Sequence, residues 1–465
     1  MTQKLWLCIM PHHTTPHHTT PASALKFQPK PEHQESPLKH KLRTTLKQYP
    51  FIRYPFIKVV RPVKRKLSGT IHRAKIWTRD FCLRHEPFRG GIIRLKGYKE
   101  CPLLTVYDYC REHDGIIRVY DDSCEYPARP LCRTREEFEG NIFAEPVMRP
   151  AWYIYVSKIH DAVIWGYEDL IYAGGCVLTD RKRQIQGNHY YISGNVPEIR
   201  EDACVVKMPA SPEIIEKGID MVKMWSGNIY HFSYETISRL QLADALEEYR
   251  SYPLILDEAI IHDKWRLQLL EMMNIHNHDV VLVKQGSPYL VKELIYPSFL
   301  NWPGEKKAGY APRMHTMAAD YVRERVLSGH KPSRTYKNVY IVRGDGRRLL
   351  NEEEVIECLS RRGIEIVYQK SYDETLDAFM TADNIIGAVG SNMACTTFTK
   401  PGANIYVICP FEYQGDNNCF EITDVSRRKL HFIPADIHEL GPVLIHTSFY
   451  ARLDALEAVA KQLSR

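Results

Sequence analysis

Three stretches carry residue types at spacings that could do chemistry. The first is Gly227-Asn-Ile-Tyr-His-Phe-Ser-Tyr-Glu235, in which His231 and Glu235 are four apart and share a face if the stretch is helical. A carboxylate at Glu235 could take a proton from an acceptor hydroxyl, with the imidazole of His231 orienting substrate or tuning the carboxyl. The plainer reading is an amphipathic helix whose His and Glu are surface residues. The second stretch is Arg343-Gly-Asp-Gly-Arg-Arg348, directly after the strand-like run Asn338–Val342. Planar guanidinium forks at Arg343 and at Arg347 or Arg348 suit a diphosphate. The third is Gly387-Ala-Val-Gly-Ser-Asn392, a turn leading into a helix. Gly387 and Gly390 let backbone approach a ligand, Ser391 adds a hydroxyl donor, and N–H groups at the start of a helix attract phosphate. Against these stand an exposed charged turn and glycines required only by packing.

Other phosphate chemistries do not fit. The chain has no G-x-x-x-x-G-K-[ST] and no G-x-G-x-x-G after its first strand, which demotes P-loop and dinucleotide readings. It has no D-x-D, the spacing with which two carboxylates hold a divalent ion against a sugar diphosphate. A metal-independent site with no bound cofactor is expected. The 12 cysteines include no C-x-x-C, so zinc fingers and dithiol redox centres are not expected. Reduced, buried thiols and a cytoplasmic location are.

The elements that would position these stretches are best marked toward the C-terminus. Asn338–Val342, Ile364–Tyr368, Asn384–Ala388 and Ala403–Ile408 read as strands. Capping boxes at Asn351–Glu354 and Ser371–Glu374 open helices between them, and Met393–Phe398 reads as a short helix. Strand and helix alternating with short connections mean a parallel, doubly wound sheet. In such a sheet ligands bind beyond the carboxyl ends of the strands, the edge where Arg343 and the glycine turn fall. Upstream, Trp152–Ser157, Ala162–Trp165, Leu170–Ala173 and Tyr190–Ser193 read as short strands, with Gly174-Gly175 as a turn. Tyr230–Arg250, Asp263–Met273 and Met314–Leu327 read as helices, and Val280–Val283 and Leu290–Ile295 as strands. Residues 445–465 read as a terminal amphipathic helix.

Five regions follow: a low-complexity tail over 1–25, a basic arm over 26–100, an acceptor-side domain over 101–330, a nucleotide-binding domain over 331–445, and the helix over 446–465. The length of 465 residues, with 44% hydrophobic and 25% charged residues, suits two packed globular domains. Pro-His-His-Thr-Thr occurs twice in tandem over residues 11–20 and reads as a disordered repeat. Residues 26–99 hold 20 Lys/Arg against 4 Asp/Glu, leaving 42 basic and 52 acidic residues elsewhere. Aromatic and β-branched residues interleave with that charge. No nucleic-acid module accompanies it, so an anionic membrane surface is the expected partner. No run of 18 apolar residues exists, and a peripheral protein on the inner face of a membrane is expected.

In this order the three stretches resemble glycosyltransferase family sixty-one, found in bacterial capsule and lipopolysaccharide clusters and in plant xylan and animal O-glycan synthesis. The matching signatures are Asn228-x-Tyr-His-Phe, Tyr340-Ile-x-Arg343, Arg347-x-x-x-Asn351-Glu-Glu353 and Ile386-Gly-x-x-Gly-Ser391 with Phe398 and Pro401-Gly402. The resemblance covers about residues 150–430, most densely over 336–411. The resemblance implies a GT-B architecture: two Rossmann-like lobes facing a cleft, acting as an inverting enzyme without bound metal. It places Glu235 as catalytic base beside His231, and Arg343 with the glycine turn around the nucleotide diphosphate. Arg347, Asn351 and Asn392 join the donor-binding set. The implied substrates are a nucleotide sugar and a glycan acceptor, lipid-linked in surface polysaccharide synthesis. One departure is Val389, where the family's turn commonly holds histidine; an altered donor or a degenerate site would each fit. A non-catalytic glycan-binding or assembly subunit is the rival reading, and a nucleotide-sugar epimerase a third.

Overall fold

In the computed structural model, residues 97–121, 125–145, 147–150, 152–182, 193, 195–302, 313–343, 349–416, 428–439 and 447–464 are described. The repeat over 1–25 and nearly all of the basic arm lie outside them, as do Tyr190–Ile192 and Arg347. The described residues form a mixed α/β structure with two large sheets.

The first sheet has eleven strands among the described residues: β1 (Tyr98–Leu104), β2 (Ile116–Asp121), β3 (Ile154–Trp165), β4 (Ile171–Ala173), β5 (Cys176–Leu178), β6 (Glu198–Ile199), β7 (Ala203–Lys207), β8 (Glu213–Asp220), β9 (Leu254–Asp257), β10 (Val280–Val283) and β11 (Pro288–Pro297). Their order is β10-β9-β8-β11-β3-β4-β5-β1-β7-β6, with β2 pairing on β3. The end from β10 to β11 is parallel, and β3 joins it antiparallel. Two runs expected as separate strands, Trp152–Ser157 and Ala162–Trp165, are one twelve-residue strand, β3. Charged residues between them did not break it, because His160 and Asp161 point to solvent while Ala162–Trp165 return to the core.

The second sheet holds β12 (Asn338–Ile341), β13 (Glu365–Val367), β14 (Asn384–Ala388), β15 (Asn404–Pro410), β16 (Lys429–Glu439) and β17 (Ser448–Ala451). Its order is β13-β12-β14-β15-β16-β17, parallel up to β16, with β17 antiparallel at the edge. The chain goes from β12 to one side and returns past it to the other. Right-handed crossovers then place α3 (Glu352–Ser360) and α4 (Tyr372–Thr381) on opposite faces, with the topological switch between β12 and β14. Asn338, Asn384 and Asn404 stand in register at the amino ends of β12, β14 and β15. Their amides form a ladder, Asn404 to Asn384 and Asn384 to Asn338, each 2.8 Å.

Three local expectations need correction. Ser448–Ala451 is strand β17, not the start of the terminal helix, which is α5 (Leu453–Leu463). Phe449 and Ala451 are buried and Tyr450 exposed, the two-residue period of a strand. Asn351 precedes α3 but does not cap it with its side chain. Tyr230–Arg250 is not one helix: a π-turn over His231–Thr236 runs into a 3₁₀ turn over Ile237–Arg239, a short α-helix over Leu240–Asp244 and a 3₁₀ turn over Glu247–Tyr249. Ser233 and Ser238 donate their hydroxyls to the carbonyls of Ile229 and Tyr234, competing with regular helical bonding.

Helices α1 (Lys264–Met273) and α2 (Thr316–Gly329) lie with the π-turn between the sheets. One buried apolar cluster runs from Val156 and Leu254 through Phe232, Ile237 and Leu269 to Val339 and Ile385. The two sheets therefore share a core. Among the described residues no helix is long and apolar enough to cross a membrane.

Candidate active site

Glu235 sits on the π-turn with only 7% of its side chain exposed. Four groups surround its carboxylate. Asn301 Nδ2 donates to Oε1 at 2.6 Å, and Oε2 lies 3.1 Å from Lys223 Nζ, 3.3 Å from Arg181 and 2.9 Å from His231 Nδ1. The His231 contact is short but off the ring's N–H axis. Burial alone would raise the carboxyl's pKa. His231, Lys223 and Arg181 outweigh it and hold Glu235 well below the usual carboxylate range.

Those cations are balanced in turn. Asp169 lies 3.0 Å from Lys223 Nζ and 3.7 Å from Arg181, and accepts the Met224 N–H at 2.6 Å. Two buried carboxylates thus face two buried cations, the arrangement that lets ionised groups stay inside a protein. Phe299 covers the cluster, with the Arg181 guanidinium 4.4 Å from its ring centroid. Asp257 anchors the segment carrying Lys223. It accepts from the Lys223 N–H at 3.1 Å and the Ser226 hydroxyl at 2.9 Å, and from the Tyr167 N–H. Burial pushes the Asp257 carboxyl up to about 7. Trp225, in the same segment, adopts φ +67° and places its ring 5.4 Å from that of His231.

The second half of the site lies at the switch between β12 and β14. Arg343 follows β12, and its backbone N–H donates to Glu352 Oε1 at 2.8 Å, an atom that also accepts from the Tyr340 hydroxyl. Its guanidinium reaches across to the glycine turn and donates to the Val389 carbonyl. Gly390 has φ +154° and ψ −176°, and a Cβ there would overlap that guanidinium. Gly387 is glycine for another reason: a Cβ would meet Met393 Sδ. Ser391 opens the 3₁₀ helix Ser391–Phe398, whose first N–H groups precede its own hydrogen bonds. Asn392 follows on that helix. Val389 is fully buried.

The structure brings His231 to Glu235, and Arg343 to Gly390. It does not bring Asn351 to either group, because both amide atoms of Asn351 bond the backbone of Ala451, at 3.0 and 2.9 Å. Arg347 lies outside the described residues. The two halves are joined by Tyr234, whose hydroxyl donates to the Ala394 carbonyl at 2.6 Å and meets Thr397 Oγ1.

Sequence reasoning missed Asp169, Arg181, Lys223, Tyr234 and Asn301. Lys223 had a signal, a lone charge inside the apolar run Met221-Val-Lys-Met-Trp225. Asp169, Arg181 and Asn301 are far from Glu235 in sequence and had none.

Residues 229–406 match the family model described as Glycosyltransferase 61. Over this segment the chain is similar to glycosyltransferase family 61. The resemblance read from the sequence is borne out there, and the family implies a glycosyltransferase with a nucleotide sugar donor and a glycan acceptor. The matched family segment holds His231, Glu235, Asn301, Arg343 and the glycine turn, while Asp169, Arg181 and Lys223 lie before it. A search of curated proteins finds no match.

Proposed function

We propose that the chain is an inverting, metal-independent glycosyltransferase of GT-B type. It moves a sugar from a nucleoside diphosphate donor to a glycan hydroxyl in capsular or other surface polysaccharide synthesis. The observation that carries this reading is the Tyr234 bond, which fixes the His231–Glu235 turn against the helix following the Arg343–Gly390 edge. A proton acceptor and a diphosphate site are thereby held by one continuous set of packed elements.

In this reading Arg343 and the N–H groups around Gly390 and Ser391 stabilise negative charge as the diphosphate departs. Arg347, outside the described residues, and Asn392 join this proposed donor set by their position in the sequence. The absence of D-x-D supports cationic side chains in place of a metal. The His231–Glu235 pair removes the acceptor's proton as its oxygen attacks the anomeric carbon from the opposite side. The basic stretch over 26–99 supports docking at an anionic inner membrane face, where a lipid-linked acceptor would lie.

The test is incubation of the full chain with a panel of nucleotide sugars and oligosaccharide acceptors, followed by NMR of the new linkage. Transfer with inverted anomeric configuration is the expected result. Retained configuration would overturn the inverting mechanism. Diphosphate binding with no transfer to any acceptor would favour a glycan-binding or assembly subunit.

A further inference from the structure

The surroundings of Glu235 and His231 are unequal. A carboxylate has only lone pairs to offer; Asn301 and Arg181 hydrogen-bond those of Glu235, and Lys223 and His231 lie within 3.1 Å of Oε2. With 7% of its side chain exposed, it is far less accessible to a sugar hydroxyl than its neighbour. His231 is 26% exposed. Its Nδ1 lies 2.9 Å from Glu235 Oε2, an atom with only lone pairs, so proximity favours the neutral tautomer with the proton on Nδ1 and the lone pair on Nε2. Nε2 lies at the far edge of the ring and has no hydrogen-bond partner among the described residues.

Resting on the transferase reading above, we infer that His231 Nε2 receives the acceptor proton and that Glu235 is a positioning residue, held in place by Asn301, Arg181 and Lys223. The acceptor O–H breaks, and its proton passes to Nε2. The acceptor oxygen bonds the anomeric carbon, and the anomeric C–O bond breaks with its electron pair leaving on the diphosphate. The imidazolium formed rests against Glu235. The groups facing His231 are Glu235 and Tyr230 on its own turn and Trp225 beside it, with Lys223 and Arg181 behind the carboxylate. Asp169 and Glu235 together balance those two cations, so the ring gains its proton beside a cluster with no net charge.

Long-range ¹H–¹⁵N correlation on the full chain labelled at histidine, with the His231 signal assigned from a His231→Gln sample, reads the tautomer without any substrate. A pyridine-type Nε2 and a protonated Nδ1 are expected, and a protonated Nε2 in the neutral ring would overturn the inference. In transfer assays His231→Ala should lower kcat by about 10²–10⁴-fold, with diphosphate affinity unchanged and part of the rate restored by free imidazole. Glu235→Gln should retain more activity than His231→Ala and show a shifted tautomer signal. Should Glu235→Gln fail to fold, the partly exposed His231 still supplies the decisive variant. A His231→Ala enzyme within tenfold of the parent would remove this inference alone. A parent that transfers to no acceptor would remove the transferase reading and this inference with it.

Discussion

The hydroxyl of Tyr234 donates to the carbonyl of Ala394 across 2.6 Å, tying two turns 160 residues apart in sequence. Tyr234 is fully buried, and its neighbours on the π-turn are His231 and Glu235. Ala394 lies in the helix that Gly390 opens. The bond therefore sets the spacing between the proposed proton-accepting and diphosphate-binding halves of the site. Tyr234→Phe leaves the Ala394 carbonyl without this donor in the core, at a cost of about 1–3 kcal/mol. Denaturant unfolding should show that loss. Transfer should fall further than diphosphate affinity, because only transfer needs both halves in register.

Gly390 and Gly387 make a matched pair for substitution. Gly390 occupies a backbone region nearly restricted to glycine, and its missing Cβ leaves room for the Arg343 guanidinium. Gly390→Ala should strain the turn by about 1–3 kcal/mol and push that guanidinium aside, weakening diphosphate binding. Gly387→Ala should clash with Met393 and lower stability. Its effect on diphosphate affinity should be the smaller of the two, which calorimetry on both variants checks.

His278 predicts a pH dependence of stability. Its Nδ1 meets the Tyr252 carbonyl at 2.7 Å and its Nε2 meets Asp244 at 2.8 Å. Both partners are acceptors, so both ring nitrogens carry protons. Burial lowers the pKa, but the bonds to Asp244 and Tyr252 more than offset it and raise it above the ordinary 6.5. The folded state therefore holds this proton more tightly than the unfolded chain. The stabilisation is complete below pH 6.5 and is lost as pH rises through the folded value. Unfolding free energies of the parent and His278→Gln, measured from pH 5.5 to 9, should converge as pH rises. A constant difference would show that the ring is not charged.

The basic stretch should bind anionic vesicles. Each Lys or Arg close to such a surface contributes about 1 kcal/mol, and salt screens it within a Debye length. Sedimentation should show partitioning onto anionic but not neutral vesicles, falling steeply with added salt. Deleting residues 26–66 should abolish it while sparing transfer to a short soluble acceptor. Equal partitioning onto both vesicle types would remove the membrane assignment.

The C-terminal sheet was legible because local signals agreed there. Apolar runs of strand length alternated with capped helices, and Ser371 does accept from the Glu374 N–H as its box implies. The strands β12, β14 and β15 fall within two residues of their expected ends. Strand β16 was not foreseen, because Lys429-Leu-His-Phe-Ile-Pro mixes charge and proline into a strand that β15 and β17 stabilise by pairing on both sides. The His231–Glu235 pairing was legible from its spacing, yet the apportioning of roles was not. That depends on Asp169, Arg181, Lys223 and Asn301, which the fold of the first sheet delivers from separate segments. Asn351 shows the converse: a motif position whose side chain closes the sheet edge at Ala451.

Calorimetric titration of the full chain and of Arg343→Ala with uridine, guanosine, cytidine and thymidine diphosphates tests the Arg343–Gly390 edge as the donor site. At least one diphosphate should bind the parent. Removing a charged hydrogen-bond donor should weaken it by about 1.5–3 kcal/mol, roughly tenfold to a hundredfold in Kd. Failure of every diphosphate to bind at millimolar concentration, or equal affinity in parent and variant, would contradict the assignment of this edge as the donor site.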